Sequence, residues 1–200
     1  MIADLSKLPS DLRQMLMAEL QPGERLHYVA QPNWRAEWGK LIVIFLFGVF
    51  WSSISFVFFG LSAGSLIGLF PVTSGGHPAG LGLRIFLLIF SLPFVAIGLA
   101  LLAAPYTGIR KSRRTVHAVT ETRLLNVYGA PFSGAESYHI RTINFVQRSD
   151  RRDGSGSLSI GYGVERDSDG DPRALTLDWT GIPEPKRAEA TIYEWRNRVA

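Results

Sequence analysis

Two uncharged apolar runs constrain this chain more than any other feature. Residues 41–61 (LIVIFLFGVFWSSISFVFFGL) and 85–104 (IFLLIFSLPFVAIGLALLAA) contain no Asp, Glu, Lys, Arg or His. Each is about 20 residues long. At about 1.5 Å of rise per residue, each makes a helix of roughly 30 Å, the thickness of a bilayer's hydrocarbon core. Residues 62–84, between them, are rich in Gly and Ser and contain Pro71 and Pro78. The pattern predicts a transmembrane hairpin over residues 39–106, with spans at 41–61 and 85–104. The alternative is a buried hairpin in a soluble protein, but two such runs are hard to bury in a chain of 200 residues.

The basic residues near the span ends set an expected orientation. Arg35 and Lys40 precede the first run, and Arg110, Lys111, Arg113 and Arg114 follow the second, whereas the loop offers only Arg84 and His77. By the positive-inside rule both termini are expected in the cytoplasm. Trp34, Trp38 and Tyr106 suit an aromatic belt on the same side. Residues 1–20 are amphipathic and mixed in charge, so no cleavable signal peptide is expected. The net charge of +4 owes part of its sign to the cluster at 110–114. Such a cluster attracts an anionic leaflet by about 1 kcal/mol per charge. The plainer reading, which the sequence favours, is a stop-transfer anchor without lipid selectivity.

Inside the hairpin, small residues recur at helical spacing: Gly48 and Ser52 on the first run, and Ala96, Ala100 and Ala104 on the second. Faces of this kind let helices approach closely. Pro93 is expected to kink the second helix. With no ionisable group inside either run, an ion path or proton relay is not expected.

The flanks read as one small folded domain. Residues 5–20 predict an amphipathic helix within an N-terminal segment 1–22, with Ser10 as cap and Leu12, Met15, Leu16 and Leu20 on one face. That face is expected to dock on a neighbouring domain, because the polar face is not basic enough for lipid. Residues 24–31, within the segment 23–32, predict a strand in which Leu26, Tyr28 and Ala30 alternate with His27 and Val29. After the second run the period changes to two. Residues 115–120, 123–128, 137–148, 157–162 and 174–179 predict strands, separated by Gly- and Asp-rich turns. A helix over 184–199 follows, with Ala188, Ile192, Trp195 and Val199 as its buried stripe. The fold class is therefore α+β: a helical hairpin, an antiparallel barrel or sandwich over 110–200, and a closing C-terminal helix.

Several phrases in this order resemble the bacterial branch of the pleckstrin-homology (PH) superfamily found in small membrane proteins. They are Gly23-Glu24-Arg25-Leu26-His27-Tyr28 with Gln31-Pro32, His117-Ala118-Val119-Thr120-Glu121-Thr122-Arg123-Leu124-Leu125, and Ser137-Tyr138 with Ile140 and Ile143. Gly154-Ser155-Gly156-Ser157-Leu158 and Trp179-Thr180-Gly181-Ile182-Pro183-Glu184-Pro185 complete the set. His117 departs from the pattern, where an aromatic residue is more usual. The resemblance implies a PH-like domain anchored in a bacterial inner membrane, and it implies architecture more than activity. If the strand before the hairpin joins the later sheet, the hairpin is an insertion within the domain.

Eukaryotic PH domains often bind inositol phosphates through basic residues on a strand–strand loop. By that analogy Arg148, Arg151 and Arg152, together with Arg110, Lys111, Arg113 and Arg114, form a candidate anionic-lipid contact. Asp150 and Asp153 oppose it, and a solvated turn is the favoured reading of the 148–153 group. Asp167, Asp169 and Asp171 lack EF-hand spacing. The chain has no cysteine, and its four histidines lack metal-ligand spacing. No nucleophile–base pattern or phosphate loop appears. No enzyme activity, cofactor, metal or nucleic-acid partner is expected. The expected partners are membrane lipids and a protein, which includes a second copy of the chain. Two functions remain: a non-enzymatic membrane-anchored interaction module, which is favoured, and an accessory subunit of a membrane enzyme or transporter complex.

Overall fold

A computed structural model of the chain describes residues 5–6, 8–71, 73–74 and 76–199. Residues 1–4 and Lys7 of the predicted N-terminal segment, Val72 and Gly75 of the predicted loop, and Ala200 of the predicted domain 110–200 lie outside the described residues. The chain forms two compact units. One joins the residues up to Trp38 to those from Ile109 onward; the other is Gly39–Gly108.

In the first unit, α1 (Ser10–Glu19) is followed by β1 (Leu26–Ala30) and a 3-10 turn, Trp34–Glu37. After the second unit come β4 (Thr115–Thr120), β5 (Arg123–Tyr128), β6 (Gly134–His139), β7 (Phe145–Asp150), β8 (Ser155–Arg166), β9 (Pro172–Pro183) and α4 (Pro185–Val199). The strand order is β1-β4-β5-β6 in one antiparallel sheet and β7-β8-β9 in the other. The strand before the hairpin therefore pairs with the strand after it, with Val29 opposite Ala118 and Ala30 opposite His117. The hairpin is an insertion within this domain.

The main core lies between the sheets and under α4. Tyr28, Val119 and Leu124 from the first sheet meet Leu158, Ile160 and Trp179 from the second, with Ala188 and Ile192 of α4. The other face of the four-stranded sheet is covered by α1, whose Leu12 and Leu16 are fully buried against Val116, Ala118, Leu125 and Val127. Burying each of those leucines is worth about 2 kcal/mol. With both of its faces covered, β4 is buried along its whole length. α1 thus docks on its own chain. Pro9 stands at its N-cap and no side chain caps it, so Ser10 is the first helical residue and not the cap.

Three expectations change. Leu26 does not share a face with Tyr28 and Ala30: a register shift between Leu26 and Tyr28 turns Leu26 toward α1. Residues 137–148 are two strands in different sheets. A 3-10 turn, Ile140–Thr142, makes the corner and buries both Ile140 and Ile143, which one extended strand could not do on one face. Finally, the two sheets form no closed barrel. At the other corner they meet through Tyr28 Oη, which donates to Pro183 O (2.5 Å), and Asn33 N–H, which donates to Gly181 O (2.7 Å). Gly181 has φ +69°, and a Cβ there would lie 2.6 Å from Asn33 O, so this close approach needs glycine.

The second unit contains most of two long helices, α2 (Trp38–Leu66) and α3 (Leu81–Arg113), and a two-stranded ribbon, β2 (Thr73–Ser74) with β3 (His77–Pro78). Both helices are long and apolar enough to cross a membrane, and only 17% and 11% of their most apolar windows are buried. They run past both ends of the expected spans, and α3 continues through Pro93 and Pro105. Arg84 closes the loop side. Its Nε donates to Ala79 O (3.1 Å) and its Nη1 to Ser65 O (2.9 Å), a carbonyl in the last turn of α2.

Candidate functional site

The seven basic residues predicted to contact lipid fall into two groups, and no recorded contact among the described residues joins them. Arg110, Lys111 and Arg113 occupy the last turn of α3, and Arg114 follows it. Arg114 is taken up by an ion pair with Asp11 of α1. The Arg113 guanidinium lies 5.3 Å from the centre of the Trp34 ring, and that of Arg35 lies 5.7 Å from the same ring. Trp38 meets Trp34 edge-on at 5.3 Å. The Lys111 ammonium sits 5.8 Å from the Tyr128 ring.

Local structure fixes this arrangement. Asn33 Oδ1 accepts the Arg35 N–H (3.1 Å) and caps the turn that carries Trp34. Gln31 Nε2 donates to Arg113 O (2.6 Å), tying the chain after β1 to the end of α3. The result is an exposed rim of cations: Arg35 and Arg113 meet at the Trp34 ring, which touches Trp38, and Arg110 and Lys111 share the last turn of α3 with Arg113. Sequence reasoning picked out its α3 members but left Trp34, Trp38 and Arg35 in the roles of belt and orientation signal. The contact of Trp34 with Arg113 depends on β1 pairing with β4.

The second group is at the β7–β8 turn. Arg148 is engaged by Asp150 (3.0 Å) and by Glu189 of α4. Arg151 and Arg152 are exposed. Asp153 is held below its usual range by hydrogen bonds from the Ser155 hydroxyl and N–H. An open cavity of about 510 Å³ lies between this turn and the start of α4, bordered by Arg151, Ser155, Glu184 and Lys186.

A polar row crosses the inner face of the four-stranded sheet, buried at His117 and Asn126 and exposed at Glu136, where the sequence offered only a strand histidine. The register sets His117 opposite Asn126 and Asn126 opposite Glu136. Asn126 Oδ1 accepts from His117 Nδ1 (2.7 Å) and from Trp179 Nε1 (2.8 Å). The His117 ring also stacks on Trp179 at 4.9 Å. Asn126 Nδ2 (3.3 Å), Tyr128 Oη (3.0 Å) and Tyr138 Oη (3.4 Å) all donate to one oxygen of Glu136. Desolvation pushes His117 down to about 4, although Asn126 and Glu136 pull the other way. The ring is therefore neutral near pH 7, and the row organises the core.

In the second unit, Gly48 and Ser52 of α2 are buried against α3. A Cβ on Gly48 would lie 3.0 Å from the Leu101 Cβ, and one on Gly98 would lie 2.6 Å from Ser52 Oγ. The buried positions of α3 here are Ser91 and Gly98, whereas Ala96 and Ala100 are exposed and Ala104 is half-buried. No group of His, Asp and Glu that could hold a metal occurs among the described residues.

The fold and rim together define a class: an α+β domain with seven strands among the described residues and a closing helix, interrupted after its first strand by an apolar helical hairpin. No known family, curated protein or solved structure matches the chain.

Proposed function

We propose that this chain is an integral membrane protein that displays a PH-like domain on the cytoplasmic face of a bacterial inner membrane. There it acts as a non-enzymatic interaction module for a protein partner, a second copy of itself or a lipid headgroup. The observation that carries this reading is the pairing of β1 with β4, which mounts one folded domain on both ends of an apolar hairpin. Sheets of four and three strands with α4 against the core support the PH-like part.

The test uses single cysteines placed at Ser74 and Ser168 of this cysteine-free chain. Ser74 should react with an impermeant maleimide in intact cells, and Ser168 only after permeabilisation. A photocrosslinker at Ser168 should then capture a discrete neighbour. Labelling of Ser168 from outside overturns the orientation, and crosslinking without any discrete product overturns the protein-partner arm.

A second reading is favoured by the exposed side of α3. Ala96 and Ala100 are not used within the hairpin, so they offer a small-residue face to other spans. In an accessory subunit of a membrane complex, Ala100→Leu should dissociate that complex on a native gel. An unchanged complex counts against it.

A further inference from the structure

We propose that the rim of Trp34, Arg35, Arg110, Lys111 and Arg113 binds the headgroup of an anionic phospholipid. The proposal rests on the membrane reading above and goes further, because it makes the rim selective. The first argument is electrostatic. Arg114, Arg123 and Arg148 have carboxylate partners. Arg35, Arg110, Lys111 and Arg113 have no ion pair and no side-chain hydrogen bond among the described residues, and all four are exposed. Glu37, the carboxylate nearest in sequence to Arg35, forms no ion pair with any of them. Two guanidinium groups gathered around one indole repel each other until an anion arrives.

The second argument is geometric. The two guanidinium groups lie 5.7 and 5.3 Å from the centre of the Trp34 ring and donate to no acceptor among the described residues, so their N–H groups stay free, and those donors match the paired oxygens of a phosphodiester. Trp34 thus orients Arg35 and Arg113 without consuming their donors.

The third is position along α3. Arg110 and Arg113 lie about 9 and 14 Å beyond Ala104, the last residue of the apolar run, by helix rise. The headgroup layer is roughly 5–8 Å thick on each side. Arginine side chains reach back over that difference while their stems stay on apolar surface. Trp34 and Trp38 each carry an apolar ring and one N–H donor, as residues that anchor in a headgroup layer do. A free soluble phosphate would explain the cations but not the paired indoles beside them.

The test places the full chain in phosphatidylcholine nanodiscs that carry a trace of spin-labelled phosphatidylglycerol or spin-labelled phosphatidylcholine. Electron paramagnetic resonance reads the motionally restricted fraction of each. Phosphatidylglycerol should be preferred by at least about threefold, and the preference should fall as salt rises. Arg35→Gln with Arg113→Gln should abolish most of it. Arg166→Gln with Arg173→Gln, the same change in charge on the β8–β9 hairpin, should leave it intact. Equal association of the two lipids by the unaltered chain overturns the rim. So does a preference that survives the Arg35 and Arg113 changes, or one that sodium phosphate removes when sodium chloride of equal ionic strength does not. A spectrum with no restricted component for either lipid instead overturns the membrane reading.

Discussion

Arg123 grips Glu24 at two points across 99 residues of chain: Nε to Oε1 at 2.9 Å and Nη2 to Oε2 at 2.7 Å. The Thr120 and Thr122 hydroxyls and the Gln21 N–H complete the carboxylate's shell, and the Glu24 side chain is 5% exposed. Two of the phrases that resemble the PH superfamily, one on each side of the hairpin, are joined here. Glu24→Ala leaves a mostly buried guanidinium without its partner and should destabilise the domain by about 3 kcal/mol. Urea unfolding of the detergent-solubilised chain, followed by tryptophan fluorescence, measures the loss.

Acid should weaken the domain in two adjoining steps. Burial by itself would raise the Glu24 carboxyl, but hydrogen bonds from Arg123, Thr120 and Gln21 and the charge of Arg123 outweigh it and hold the group at about 2. The unfolded chain therefore binds more protons between about pH 4.5 and 2. Glu24's contribution, about 3 kcal/mol, is complete above that window and lost as pH falls through it. His117 adds an earlier step. Its folded value of about 4 lies below the unfolded 6.5, so its share is complete above pH 6.5 and lost on the way down to 4. His117→Phe should flatten the upper step and Glu24→Gln the lower one when stability is measured against pH.

Asn126 satisfies two buried donors with one oxygen, the ring N–H groups of His117 and Trp179. Asn126→Leu is close in size but strands both donors. At about 1–3 kcal/mol for each, the loss should be roughly 2–5 kcal/mol. Asn126→Asp keeps the acceptor but loses the donor to Glu136 and sets a second carboxylate beside it, so its loss should shrink as acid protonates the pair. Thermal unfolding of the two variants at pH 7 and pH 5 separates lost hydrogen bonding from charge repulsion.

In the hairpin, Gly98 faces Ser52 without room for a side chain. Gly98→Leu should separate the helices at a cost of about 1–3 kcal/mol and slow the isolated hairpin on an SDS gel. Ala96→Leu sits on the exposed side and should leave that mobility unchanged.

What was readable from sequence was whatever depends on local period and punctuation. The apolar runs, the strands at 115–120 and 123–128 and the stripe of α4 stand where alternation and helical spacing put them. The corner at Ile140–Thr142 was not readable, because Tyr138, Ile140 and Val146 fit one alternating strand as well as they fit two strands and a turn. Nor was the polar row of His117, Asn126 and Glu136, which exists only once the register of three strands is set. The small-residue face of α3 was misplaced for a related reason. Helical spacing groups Ala96 with Ala100, but only the partner helix selects Gly98 as the point of contact. For the rim, the charges were visible in sequence, and their division into paired and unpaired cations was not.

The pairing of β1 with β4 also imposes an order in time. A ribosome adding about 5–20 residues per second takes roughly 5–20 s to pass from Glu24 to Arg123. For most of that interval α1 and β1 have been made but have no sheet to join, and the apolar hairpin is made in between. The domain reaches its final pairing only after the hairpin has left the ribosome, so any delay in delivering the hairpin prolongs the exposure of an unpaired strand. A nascent chain halted before Thr115 should therefore be a substrate for chaperones and proteases, whereas in the finished chain β1 is paired with β4.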